Sequence, residues 1–288
     1  MQQFTPPRQN PLMQFMRQPK IYIRLPSGGE WWPKGSINWP ETGELAVYSM
    51  TAKDELMFKT PDALMNGQAV VDVIQSCIPD IKNAWECPTI DLDTLLIAIR
   101  LATYGEKITY KHDIPVIKEQ VEYDIDLRMV LDQQANNRWI NQISISPELT
   151  VFVKPLTYKH VTKTSIKSFE TARIMNIAND DSIPDEKKIE MFNQSFASLT
   201  DATIDLITDS IYKIVTDQTE VTELRFIKEF VHNTDKNVFQ TINNHITELK
   251  KHNEMKPLLF TTTEEQQAQG APATYEIPIN FNDSDFFG

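Results

Sequence analysis

Cysteine is almost absent from this sequence, which contains only Cys77 and Cys87. Two thiols cannot build the disulfide framework of a small secreted scaffold, so the chain is expected to fold by burying apolar surface in a reducing compartment. Glycine is also scarce, with 8 residues in 288. None falls into the GxGxxG or GxxxxGK[ST] spacing whose backbone N–H groups cradle phosphate, which argues against nucleotide chemistry. No run reaches the roughly 18 apolar residues of a membrane helix, and the N-terminus lacks the apolar core and cleavage site of a secretory signal. The expectation is a soluble, intracellular chain with no membrane partner. Positive charge is in deficit, 28 basic against 40 acidic residues for a net charge of -12. Such a balance repels phosphate backbones, so nucleic acid is not an expected partner.

Catalytic and metal signatures are missing as well. The five histidines (His112, His160, His232, His245, His252) show no HExxH or other paired spacing. His245 and His252 lie seven apart on one expected helix, too far for one ion without other ligands, and are assigned to the surface. Cys77 falls on an apolar helical stripe, where a free thiol behaves as a small hydrophobe. The segment 107–127 has the outline of a zinc-ribbon finger but none of the cysteine pairs that would hold the metal. No GxSxG elbow marks a nucleophile. Paired carboxylates for glycoside hydrolysis converge only in a fold, so sequence leaves that chemistry open. No catalytic, cofactor-binding or metal-binding residue is assigned, and the expectation is a protein without enzymatic activity.

What is present is ordinary globular material, 41% hydrophobic and 24% charged. The chain is long enough to bury roughly three quarters of its unfolded surface without staples. The pattern predicts an α+β fold, with a small N-terminal sheet and a hairpin among helices, followed by a mostly helical C-terminal half. Residues 1–19, rich in Pro, Gln and Met, form an expected flexible arm. In the α+β region, 20–154, Ile21, Ile23 and Leu25 and then Leu45 and Val47 keep a two-residue period. Val70, Val73, Ile74, Cys77 and Ile78 make a helical stripe over 67–78 that Pro79 stops. A second helix is expected over 92–104, capped by Asp91, striped by Leu92, Leu95, Leu96 and Ile99, and stopped by a left-handed Gly105. Ile108, Tyr110 and His112, then Val121, Tyr123, Ile125 and Leu127, predict the hairpin.

The expected helical region is 155–260. Its first helix spans 157–178 through Val161, Ser165, Phe169, Ala172 and Met175. Pro184 with Asp185 and Glu186 opens the next, lined by Phe192, Phe196 and Leu199. A helix around 201–217 carries Ile204, Ile207, Ile211 and Ile214, with room for a break near Thr200. Helices at 223–232 and 235–252 follow, the last capped by Thr234. Residues 261–288 are expected to be an acidic flexible tail. No internal repeat is evident.

Two features suit protein binding. Trp31, Trp32 and Trp39 place three indoles within nine residues, either as an aromatic contact surface or as a plug at one end of the core. Phe281, Phe286 and Phe287 sit in the acidic terminus as a short docking peptide or a frayed end.

Two blocks carry a resemblance. The first runs Glu-Leu-Ala-Val-Tyr-Ser-Met-Thr-Ala-Lys-Asp-Glu-Leu at 44–56, then Asn66-Gly67, Ile90-Asp91-Leu92-Asp93, Ile99-Arg100 and Thr103-Tyr104-Gly105. The second lies within 149–249, notably 195–216 and 226–233. Together they resemble the baseplate hub family of T-even-type tailed phages, and are similar in outline to tail assembly chaperones of other contractile-tailed phages. The resemblance implies a hub subunit or a hub assembly chaperone that binds other tail or baseplate hub proteins. It also implies residence in the host cytoplasm during assembly and in the virion tail baseplate. No short catalytic motif comes with it. A hub-associated cell-wall hydrolase and a general intracellular adaptor are the alternatives.

Overall fold

The computed structural model describes residues 12, 15–59, 67–135, 138–178 and 184–278. Strands β1 (Pro19–Ile23) and β2 (Leu45–Tyr48) pair antiparallel, with Ile21 opposite Val47 and Ile23 opposite Leu45, as the two-residue period predicts. Helix α1 (Ala52–Phe58) opens with a capping box in which Thr51 and Asp54 satisfy each other's backbone N–H. Helices α2 (Gln68–Cys77) and α3 (Thr89–Tyr104) follow, joined through a 3-10 turn at Ala84–Glu86.

The stripe expected on α3 understates its burial. Leu95, Leu96, Ile97, Ala98, Ile99 and Leu101 are all buried, so the helix is enclosed on every side and forms the axis of the first core. Its ends also differ from expectation. Pro88 occupies the cap position, and Asp91, one turn inside, is directed elsewhere. Gly105 does end the helix at positive φ (+93°), but with ψ at −171°, an extended mirror-image conformation open to glycine and not the left-handed helical one.

The expected hairpin forms from β3 (Lys107–Asp113) and β4 (Gln120–Asp126), and Asp126 caps helix α4 (Leu127–Gln134). Next come β5 (Gln142–Ser146), β6 (Leu149–Val153) and two long helices, α5 (Tyr158–Ala178) and α6 (Asp185–Ser210). α6 passes Thr200 without a break. Residues 211–216, expected to be helical, are instead strand β7 (Ile211–Thr216), which with β8 (Glu220–Val221) completes an antiparallel sheet in the order β5-β6-β7-β8. An irregularity where β7 meets Phe152 and Val153 lets Ile211 and Ile214, three apart, both reach the buried face. Helices α7 (Leu224–Asn233) and α8 (Lys236–Asn253) cover that sheet through Ile227, Val231, Ile242, Ile246 and Leu249, giving the second core. The cap of α8 is Asp235, whose carboxylate accepts from the N–H groups of Asn237 and Val238, and not Thr234.

Two expected boundaries are redrawn. The division at 154 falls inside the fold, because β6 pairs with β7, Thr89 N–H donates to Leu156 O, and Tyr158 N–H donates to Cys87 O. Residues 258–277, mostly assigned to a flexible tail, form β9 (Leu258–Thr261), α9 (Glu264–Ala268) and β10 (Thr274–Ile277). Leu258, Phe260, Tyr275 and Ile277 share one face of this β9–β10 hairpin and pack with Ile114 and Val121 as a third core. Polar composition concealed that alternation. At the other end, the last residues of the expected arm are also built in, since β1 starts at Pro19 and Arg17 is docked.

Candidate functional site

The tryptophan loop is the first candidate, and the structure disperses it. Trp32 is 7% exposed and its indole N–H donates to Asp91 Oδ2 at 2.8 Å. Asp91 also accepts from Ser27 N–H at 2.9 Å and from the Ser27 hydroxyl at 2.5 Å. A fully buried carboxylate thus pins the loop onto α3, and Trp32 is unavailable to a partner. Burial pushes the Asp91 carboxyl up to about 6, against the pull of the hydrogen bonds from Ser27 and Trp32. Trp31 is half-buried, its ring 5.6 Å from that of Tyr212 on β7, so it bridges the first core to the central sheet. Trp39 lies over Gly29 and is 38% exposed. A Cβ at Gly29 would sit 3.1 Å from the Trp39 ring. The three indoles therefore do three separate jobs. Phe281, Phe286 and Phe287 lie outside the described residues.

A second polar cluster ties the chain's beginning to the first core. The Arg17 guanidinium donates to Ser49 O and Ser76 O, both at 2.6 Å, and lies 3.7 Å from Asp54 Oδ2. Asp54, 4% exposed, accepts in addition from Thr51 N–H, the Thr51 hydroxyl and the Ser76 hydroxyl. Asp54 and Asp91, both buried, thus take their hydrogen bonds from the chain's own donors. The thiols are equally committed. Cys77 and Cys87 are buried and free, burial pushes Cys77 up to about 12, and it raises Cys87 well above the ordinary thiol range.

Among the described residues, no group of three His, Cys, Asp or Glu side chains is placed to hold a metal ion. Nor is any helix among them long and apolar enough to cross a membrane. His252 is exposed and His245 half-buried. His112 is engaged with the Tyr275 hydroxyl at 2.7 Å within the third core.

The surface that sequence periodicity missed lies on α5 and α6. Val161 and Phe169, expected to face a core, are 37% and 56% exposed, and Ile166 joins them. On α6, Ile189 and Phe196, seven residues apart and so on one face, are 60% and 56% exposed. Among the described side chains of α5, the buried ones are instead the polar Thr162 and Thr171. Thr162 packs against Gly67, where a Cβ would meet its methyl at 3.0 Å. Helical spacing alone told which residues share a face; it did not tell which face the core would take.

This geometry is one of scaffold and surface. A family model described as T4 bacteriophage base plate protein matches residues 21–258. The chain belongs to that family. The match spans the first two cores and ends at the start of β9, before Phe260, Ala271 and Tyr275 of the third. No curated protein and no solved structure matches it.

Proposed function

We propose that this baseplate protein acts by protein–protein binding at the hub, as a hub subunit or as a chaperone of hub assembly, and carries no catalysis of its own. The observation that carries the proposal is the apolar surface left on α5 and α6, where Ile166, Phe169, Ile189 and Phe196 stay in water although the chain has three cores to receive such residues. Completing the burial of one such side chain releases up to ~1.5–3 kcal/mol, so a partner covering several gains a stable interface. The commitment of Asp54 and Asp91 to internal hydrogen bonds supports the non-catalytic part, since a hydrolytic carboxylate has to face substrate.

Quantitative mass spectrometry of purified particles beside the infected-cell lysate tests the proposal. Fixed copy number in the tail identifies a subunit, whereas abundance in the lysate in complex with a baseplate protein, without recovery in particles, identifies a chaperone. A chain that is free in the lysate and missing from particles refutes both.

A further inference from the structure

Helices α5, α6 and α8 border a groove of about 350 Å³. Leu156, Val161 and Leu206 give it an apolar lining, and Ser165, Ser168 and Lys250 add polar groups. Lys250, in the last turn of α8, is the single charge in that lining. Among the described residues its ammonium has no ion pair or hydrogen bond, and Glu254, one turn further on, acts on it only through space. An apolar groove with one uncompensated cation at its border suits a segment that carries both aromatic rings and carboxylates.

The chain itself holds such a segment. Residues 279–288 contain Phe281, Phe286 and Phe287, the acids Asp283 and Asp285, and no Lys, Arg or His. Charge sorts the grooves available to it. Asp124 and Asp126 line the groove beside β9, and Glu248 lines the one between β5 and α8, so both disfavour an acidic segment. Reach allows the third. Ile277 is paired with Leu258, and Leu258 is joined to Lys250 through five residues of chain and one turn of α8, which sets an upper limit of about 30 Å between Ile277 and Lys250. The nine residues from Pro278 to Phe286 span about 30 Å when extended. From this charge complementarity and this reach we infer that residues 281–287 fold back into the groove of the same chain, with Asp283 and Asp285 set against Lys250 and the rings of Phe286 and Phe287 laid on Leu156, Val161 and Leu206. Tethering gives such a segment an effective concentration on the order of millimolar, so a weak intrinsic contact is enough to hold it. The inference goes beyond the protein-binding reading and does not depend on it.

Disulfide trapping in the full chain tests it. Cys77 and Cys87 are buried, so the substitutions Ser165→Cys and Ser284→Cys supply the reactive thiols. In dilute protein with oxidised glutathione the pair is expected to close within one chain, read by mass spectrometry of the linked peptides. Lys250→Glu, a change at an exposed position of α8, is expected to slow closure roughly fivefold. Adding Asp283→Lys and Asp285→Lys to that variant is expected to restore the rate, and the rescue separates lost attraction from a damaged fold. Phe286→Ser with Phe287→Ser is expected to slow closure as well. Closure that ignores Lys250→Glu or the two serine substitutions, or a slowed rate that the reversed charges do not restore, overturns the inference. So does a disulfide that forms only between two chains, which would assign the segment to a second copy.

Discussion

The tryptophan loop and the α5–α6 pair are both rich in large apolar side chains, and the fold treats them oppositely. In the loop, a buried carboxylate collects an indole N–H, a hydroxyl and a backbone N–H, and this draws Trp32 out of water. On α5, Thr162 and Thr171 pack inward, and Phe169 remains outside. Apolar content therefore does not decide which surface is left for a partner. What decides it is which face of each segment the core accepts.

The strongest way to break the comparison is Asp91→Ala. It strands the indole N–H of Trp32 and the N–H and hydroxyl of Ser27, and should lower stability by about 3 kcal/mol. Urea unfolding would read this as a lower midpoint at unchanged slope. Gly67→Ala should cost roughly 1–2 kcal/mol, because position 67 has φ +76° and its Cβ would press on Thr162 and Tyr158. An unchanged melting temperature would show that the contact between α2 and α5 is not tight.

Acidity sharpens the same point on the α3 side. Burial and then the Glu254 charge push Asp93 up to about 6 from 3.8. Between these values the folded state binds more protons than the unfolded one, so Asp93 contributes a loss of stability as pH rises from about 4 to about 6, and a constant deficit above. Asp93→Asn should remove that slope and raise stability at pH 7 by on the order of 1 kcal/mol. A profile with the same slope as wild type would contradict the assignment. At the other extreme, Phe169→Glu and Phe196→Glu should each change stability by less than about 0.5 kcal/mol, since neither side chain is in a core. Calorimetry showing a larger loss would mean that these phenylalanines hold α5 and α6 in place.

How much of this was legible in the sequence follows from how local each signal is. The β1–β2 alternation, the α2 stripe and the β3–β4 hairpin are periodic over several residues and formed as expected. Strand β7 was not legible. Ile204, Ile207, Ile211 and Ile214 keep helical spacing, and only pairing with Val151 and Val153, some sixty residues away, turns the last two into strand. The β9–β10 hairpin was hidden because its four inward residues are separated by a polar stretch and find their partners on β3 and β4. For the candidate sites, the tryptophans grouped by sequence spacing meet three different environments in the fold, at Asp91, at Tyr212 and over Gly29. Of the exposed apolar residues of α5 and α6, Val161, Phe169 and Phe196 were found as helix-lining positions and Ile166 and Ile189 were not, because a single chain's periodicity does not reveal which helical face the core accepts.

The central claim is that the apolar surface left on α5 and α6 binds other proteins. It is tested most directly by affinity capture of the tagged chain from phage-infected cells, comparing wild type with the Phe169→Glu, Phe196→Glu double variant and identifying baseplate proteins by mass spectrometry. The expected result is recovery of baseplate proteins with wild type and their loss with a double variant that melts like wild type. Equal recovery with both chains would contradict the claim.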